Sequence, residues 1–345
     1  MRIVFVHFGK QTPKHLNLNI ERCINLFPDI SIVLITNREC SVPTIKGLGI
    51  TFYDFGSEWQ SLEQNLSHPK DFRENFWLVS VARFLALENY LANCSGEIIH
   101  VESDVILAPD FPFAKFSALD KTISFPLVSQ LQGIASTLYI RNHETAKLLS
   151  SLTLEMSCKD SKTTDMFILR KFYELHSNIT QVIPTAPGGR THYRDFTDEK
   201  LLSEMDAAVA LFGGCFDGAD IGYFLFGVDP RNDKGRKYIR RSLPKNYLVV
   251  PKMDIVFSKE RNFLEIGAEE FTQHVPLYSL HIHSKNPALF HASRYSKAIQ
   301  QGANTYRLPE TFKFMPRIFA QTLGQAISRR FKNILRMKGA AKSAN

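Results

Sequence analysis

The chain is poor in cysteine, with five in 345 residues: Cys23, Cys40, Cys94, Cys158 and Cys215. Their number is odd, their spacing is wide, and no Cys-x-x-Cys or mixed Cys/His zinc spacing occurs. A disulfide framework and a structural zinc site are thereby excluded, and free thiols in a reducing, cytoplasmic setting are expected. Long hydrophobic runs are also missing. No stretch approaches the ~20 apolar residues that a membrane span requires. The N-terminal run Ile3–Phe8 is too short for a secretory signal and is interrupted by His7, so it reads as a first strand. There is no Walker loop and no dinucleotide glycine fingerprint, and Gly188-Gly189-Arg190 reads as a turn. No serine, histidine and acid order suggests a nucleophilic hydrolase.

Acid is absent from one region. Residues 312–345 contain Lys313, Arg317, Arg329, Arg330, Lys332, Arg336, Lys338 and Lys342 and not one Asp or Glu, which accounts for the whole formal charge of +8. Residues 1–311 are therefore neutral overall. A body without a basic face argues against a nucleic-acid partner. From Arg317 to Met337 a helical projection places Phe319, Leu323, Ala326, Ile327, Phe331 and Ile334 in one arc and Arg329, Lys332 and Arg336 opposite. Such a tail can lie on an anionic membrane surface. The expected division is a folded unit over 1–311 and a basic amphipathic tail over 312–345.

The body opens strand–helix–strand. Ile3–Phe8, Ser31–Thr36 and Ile50–Phe55 are apolar runs of strand length, and His15–Leu26 has helical spacing. This order argues for a parallel, doubly wound sheet. Ligands on such sheets bind beyond the strand C-termini, here at Phe8-Gly9-Lys10 and Thr36-Asn37. A helix is expected over Pro69–Asn93, then a strand Glu97–Val101 and a turn-rich exit Leu107–Phe113. Further strands are expected at Thr122–Phe125, Ser136–Ile140, Lys245–Val250, Asp254–Phe257 and Tyr278–His283. Further helices are expected at Thr145–Leu154 and Thr164–Leu175, and a Gly/Pro-rich loop at Pro184–Arg194.

Four groups of residues can carry chemistry. Glu102-Ser103-Asp104 follows the strand Glu97–Val101. Side chains at i and i+2 leave a strand on one face, so Glu102 and Asp104 can share one hard divalent cation, Mn²⁺ or Mg²⁺. Such an ion can tether a diphosphate and act as Lewis acid for its departure. Arg83 stands in the apolar run Phe76–Leu87, where a charge needs a partner. A donor phosphate or a metal-site carboxylate would serve. In His281-Ile282-His283-Ser284-Lys285 one of the two histidines can complete the metal shell, and Lys285 can neutralise phosphate charge. In Phe216–Asn232, Asp217 can cap a short helix. In a sugar pocket, Asp217 or Asp220 can instead remove an acceptor hydroxyl proton. Asp165 is a lesser candidate for that task and can also cap a helix.

Together these features resemble the GT-A-type glycosyltransferases, in particular their microbial polysaccharide and lipid-linked glycan branch. The likeness rests on the N-terminal strand–helix–strand half, the helix with Arg83, and Val101-Glu102-Ser103-Asp104, similar to that family's Asp-x-Asp. It also rests on the late histidine in Leu280–Lys285 and on Phe216–Gly222 and Val228–Asn232. It spans roughly residues 1–290, and Glu102 departs from it by replacing the first Asp. The resemblance implies a GT-A-like doubly wound mixed sheet, a UDP- or GDP-sugar donor, Mn²⁺ or Mg²⁺, and a glycan or glycolipid acceptor. It implies nucleotide contacts at Phe8, Gly9, Lys10, Thr36, Asn37, Arg83, Ser103 and Lys285. Two rival expectations are a membrane-associated sugar-binding protein with a degenerate site and a nucleotidyltransferase. The latter is opposed by the glycine-poor Phe8–Thr12 segment.

Overall fold

The computed structural model describes residues 1–37, 49–66, 68, 75–188, 196–227, 253–268 and 274–306. The expected strand Lys245–Val250, the stretch Val228–Asn232 and the tail 312–345 lie outside these residues, as do positions 69–74 of the expected long helix.

The first half is built from short apolar strands. β1 (Arg2–His7), α1 (Lys14–Leu26), β2 (Ser31–Thr36) and β3 (Thr51–Asp54) follow in order. After α2 (Gly56–Asn65) comes α3 (Phe76–Asn93), which begins behind Asn75 in the left-handed conformation (φ 68°). β4 (Ile98–Val101) is fully buried and leads through a tight turn to β5 (Val105–Leu107). The sequence reading gave a turn-rich exit from Leu107 and no strand at β5. Three residues are too few to show a period, and the partner strand lies far along the chain.

α4 (Phe113–Ser117), β6 (Ile123–Ser129), β7 (Gln132–Gly133) and β8 (Thr137–Ile140) come next, then α5 (His143–Lys159), α6 (Asp165–His176) and β9 (Thr180–Ile183). The main sheet runs β3-β2-β1-β4-β8-β6-β7, with β9 beside β6. β3, β2, β1 and β4 are parallel, and β8 is antiparallel to both β4 and β6. The sheet is therefore mixed. Alternation along β1 and β2 sends Val4, Val33 and Ile35 to one apolar layer, where α3 packs. It sends Ile3, Phe5, Ile32 and Leu34 to the other, where Leu16, Ile20 and Cys23 of α1 pack. α3 is buried around most of its girth, through Leu78, Val81, Phe84, Leu85 and Leu87, as expected of a helix apolar on nearly every side.

The chain continues through α7 (Glu199–Phe212), β10 (Cys215–Phe216), α8 (Asp220–Phe226), β11 (Met253–Ser258), β12 (Phe263–Ala268) and β13 (Val275–His281) to α9 (Tyr295–Tyr306). A second sheet runs β10-β13-β12-β11, with β5 antiparallel to β13. Among the described residues no helix is long and apolar enough to cross a membrane.

One topological fact locates the site. From β1 the strand order moves outward through β2 to β3, then returns to the opposite side of β1 at β4. The order reverses between β1 and β4, and such a switch point opens a crevice beyond the strand C-termini. Glu102 and Asp104 lie at that end of β4.

Candidate metal and phosphate site

Asp104 is the last residue before β5, and His281 is the last residue of β13. Antiparallel pairing sets His281 opposite Val105, and Ile282 N–H donates to the Asp104 carbonyl (2.7 Å). The turn itself is tight, with Val105 N–H donating to the Glu102 carbonyl (3.0 Å). Three side chains from two sheets thus converge: ligand atoms of Glu102, Asp104 and His281 all lie within 4.8 Å of one another. His281 Nε2 is 3.5 Å from Asp104 Oδ1 and 3.8 Å from Glu102 Oε2. Its Nδ1 is 3.1 Å from the Gly218 carbonyl, which only accepts, so Nδ1 carries a proton and Nε2 faces the carboxylates.

The donor set fits a hard divalent cation. Glu102 Oε2 is buried and has no hydrogen-bond partner. An ion with bonds of about 2.1 Å holds adjacent ligands about 3 Å apart and opposite ones about 4.2 Å apart, which brackets the two His281 separations.

Cations line this cluster. Lys285 adopts a left-handed conformation (φ 48°), and its Nζ lies 2.5 Å from Asp104 Oδ2. Arg83 Nη1 pairs with Glu102, while Arg83 Nη2 reaches Asp165 Oδ2 at 3.0 Å. Burial would raise the Asp104 pKa, but Lys285 and His281 outweigh it and hold it well below the usual carboxylate range. Glu102 is lowered in the same way, with Arg83 and His281 outweighing its burial. Burial would lower the His281 pKa, yet Asp104, Glu102 and Asp217 raise it to about 9. At Asp165 burial wins over Arg83, and its carboxyl is pushed up to about 6.

Arg83 thus meets Glu102, a carboxylate of the candidate metal site. Asp165 was read as a base or a cap. Here it starts α6 and holds the second face of the Arg83 guanidinium. Replacing Arg83 by Gln strands two buried carboxylates, so Arg83→Gln is expected to destabilise the protein by about 3–5 kcal/mol. Chemical denaturation at pH 7 checks this, and the loss should shrink near pH 5, where Asp165 is neutral.

Other expected site residues have different surroundings. Asp217 is fully buried, and its carboxylate accepts from Ile221 N (3.0 Å), Gly222 N (2.7 Å) and His281 N (3.0 Å). Backbone donors hold both oxygens, so Asp217 ties α8 to β13. Asp220 opens α8 and is buried. The Phe8 ring is buried and stacks on Trp59 (4.5 Å between centroids). Gly9, at φ 152°, donates its N–H to Asn37 Oδ1 (3.0 Å), which joins the ends of β1 and β2. Thr36 is buried and its carbonyl accepts from Phe55 N (2.8 Å). The Ser103 hydroxyl lies 3.3 Å from His15 Nε2. His283 stacks on His281 (4.1 Å, 12°) and is not among the three converging ligands. Of the two candidate imidazoles, His281 faces the acids.

No family model matches the chain, and no curated protein matches it. Among solved structures it is similar to the galactosyltransferase LgtC in complex with donor and acceptor sugar analogs, with 14% identity, 91% of this chain and 99% of that one covered, and a TM-score of 0.45. It is similar to mouse xyloside xylosyltransferase 1 in its apo form, with 10% identity, 62% and 93% covered, and a TM-score of 0.40. The bifunctional glycosyltransferase WbbM gives 9% identity, 61% and 44% covered, and a TM-score of 0.37.

Proposed function

We propose that the chain is a metal-dependent glycosyltransferase that moves a sugar from a nucleotide-sugar donor, a UDP- or GDP-sugar, to a glycan or lipid-linked acceptor hydroxyl. The observation that carries this reading is the convergence of Glu102, Asp104 and His281 at the switch point of a nucleotide-type sheet, with Lys285 and Arg83 against them. An intact ligand set speaks for a catalyst rather than for a degenerate sugar-binding scaffold.

Glu102, Asp104 and His281 hold Mn²⁺ or Mg²⁺ in this reading, and the ion neutralises the departing diphosphate as a Lewis acid. The remaining work belongs to the chain. Arg83 keeps Glu102 ionised. Lys285, beside Asp104, meets phosphate oxygens. Gly9, Lys10, Thr36, Asn37 and Ser103 are assigned to the nucleotide. The acceptor side is assigned to Asp220. We also place the protein on the cytoplasmic side, with 312–345 lying on an anionic membrane surface.

The test is a panel of UDP-, GDP-, CMP- and ADP-sugars with and without Mn²⁺, read as thermal protection and as donor hydrolysis. One donor class should protect and be hydrolysed only with the ion. No hydrolysis of any donor would remove the proposal. The same samples carry a pH signature. His281 binds an ion only when neutral at Nε2, and its pKa is about 9. Mn²⁺ affinity should therefore climb by up to tenfold per pH unit and level off near pH 9. The metal-free protein should behave oppositely. The stability contributed by protonated His281 is complete below its unfolded pKa of 6.5 and is lost as pH rises through about 9.

A further inference from the structure

β5 has two edges. One pairs with β13, so the backbone groups of Asp104, Ile106 and Ala108 face that strand: Ile282 N donates to Asp104 O and Ala108 N to Tyr278 O. The carbonyls of Val105 and Leu107 face the other way, and among the described residues no strand pairs with that edge. Buried carbonyls there need donors.

Those donors come from α1. Asn19 Nδ2 donates to the Val105 carbonyl (2.7 Å), and Arg22 Nη2 donates to the Leu107 carbonyl (2.5 Å). Asn19 also reaches the Ser103 carbonyl (3.4 Å), and His15 approaches the Ser103 hydroxyl. Positions 15, 19 and 22 share one helix face. From 19 to 22 a helix advances about 4.5 Å, whereas from 105 to 107 a strand advances about 6.8 Å. The helix falls behind, which explains a short amide at the near position and a long guanidinium at the far one. Asn19 and Arg22 are fully buried, and among the described residues Arg22 Nε and Nη1 have no hydrogen-bond partner. The Arg22 guanidinium lies over the Tyr295 ring (4.3 Å). A buried charge without a carboxylate is unfavourable where packing alone is needed.

We propose, on the premise that Glu102, Asp104 and His281 hold the cation, that Asn19 and Arg22 are positioning residues. They act as a surrogate strand that fixes the Glu102–Asp104 turn from the side opposite His281. Without this grip the backbone of β5 is held along one edge only, by β13, and the position of Asp104 relative to Glu102 loosens. Supports of this kind change metal affinity by about 10–100-fold when removed.

Asn19→Leu keeps the branched outline of the side chain, at a larger volume, and deletes the donor. Leu16→Ala, also buried on α1, serves as the control for helix damage. Mn²⁺ binding is followed by electron paramagnetic resonance well below each variant's Tm, and amide exchange is measured over 103–107 without metal. Asn19→Leu should bind Mn²⁺ about 10–100-fold more weakly and exchange faster over 103–107. Leu16→Ala should lower Tm while leaving both readouts as in the wild type. Equal Mn²⁺ affinity in Asn19→Leu and wild type overturns the proposal, and so does unchanged exchange. A wild-type chain that takes up no Mn²⁺ while Asn19→Leu still speeds exchange removes the cation reading and leaves only a backbone brace.

Discussion

Asp104→Asn is expected to lower sugar transfer by about 10³-fold with the fold retained. The Lewis-acid contribution of a bound ion is worth several kcal/mol, and ~1.4 kcal/mol is a factor of ten in rate. Asp104 is the more strongly ionised of the two acids proposed to hold the cation: its two oxygens lie near Lys285 Nζ and His281 Nε2. An amide of the same shape cannot carry that charge. Two further effects separate loss of the ligand from loss of the fold. His281 should titrate below its present value of about 9, because the carboxylate that attracts its proton most strongly is gone. Mn²⁺ uptake should fall with activity, while the circular dichroism of the folded protein is unchanged. Transfer within tenfold of the wild type would sink the assignment of the whole site.

The second large effect is expected from a residue that touches no substrate. Gly222 lies in the first turn of α8, where a Cβ would stand 1.9 Å from the His281 carbonyl oxygen and 2.8 Å from its carbon. Both obstacles are backbone, so no side-chain rotation relieves the overlap. In Gly222→Ala, α8 has to withdraw from β13. Withdrawal breaks the Asp217 carboxylate away from Gly222 N or His281 N, which it now binds together. His281 also depends on this corner through the Gly218 carbonyl at Nδ1. Overpacking of this kind costs about 3 kcal/mol or more. Gly222→Ala should therefore melt earlier and, at temperatures where it is folded, bind Mn²⁺ poorly. A variant that melts lower but binds the ion normally would show that His281 is held independently of α8.

Several features were legible in the sequence because their signals are local. β1, α1, β2 and β4 announce themselves by apolar run or helical period, and Glu102-x-Asp104 is visible where a strand ends. Arg83 is conspicuous as a lone charge among apolar neighbours, and its partner Glu102 lies within the named motif. α7 was overlooked although its signals are present: Asp198 accepts from Lys200 N and Leu201 N, and Gly213 closes the helix at φ 63°. β5 was hidden for another reason. Its existence depends on β13, which no window of neighbouring residues contains. The choice of His281 over His283 has the same origin, since the β5–β13 register decides which imidazole meets Asp104. Asp217 was open to two readings, a helix cap or a base. The three backbone donors around it, on α8 and β13, are distant or non-periodic signals that the sequence does not display.

Because His281 is contributed by β13, the acidic pair Glu102 and Asp104 is synthesised long before its imidazole partner. A nascent chain that has completed the main sheet still lacks His281, and competence waits until the last strand of the second sheet has emerged and docked. The acids spend that interval without their late counterions, Lys285 and His281. Under the proposed function, an unfinished polypeptide would lack a complete cation site until β13 has docked.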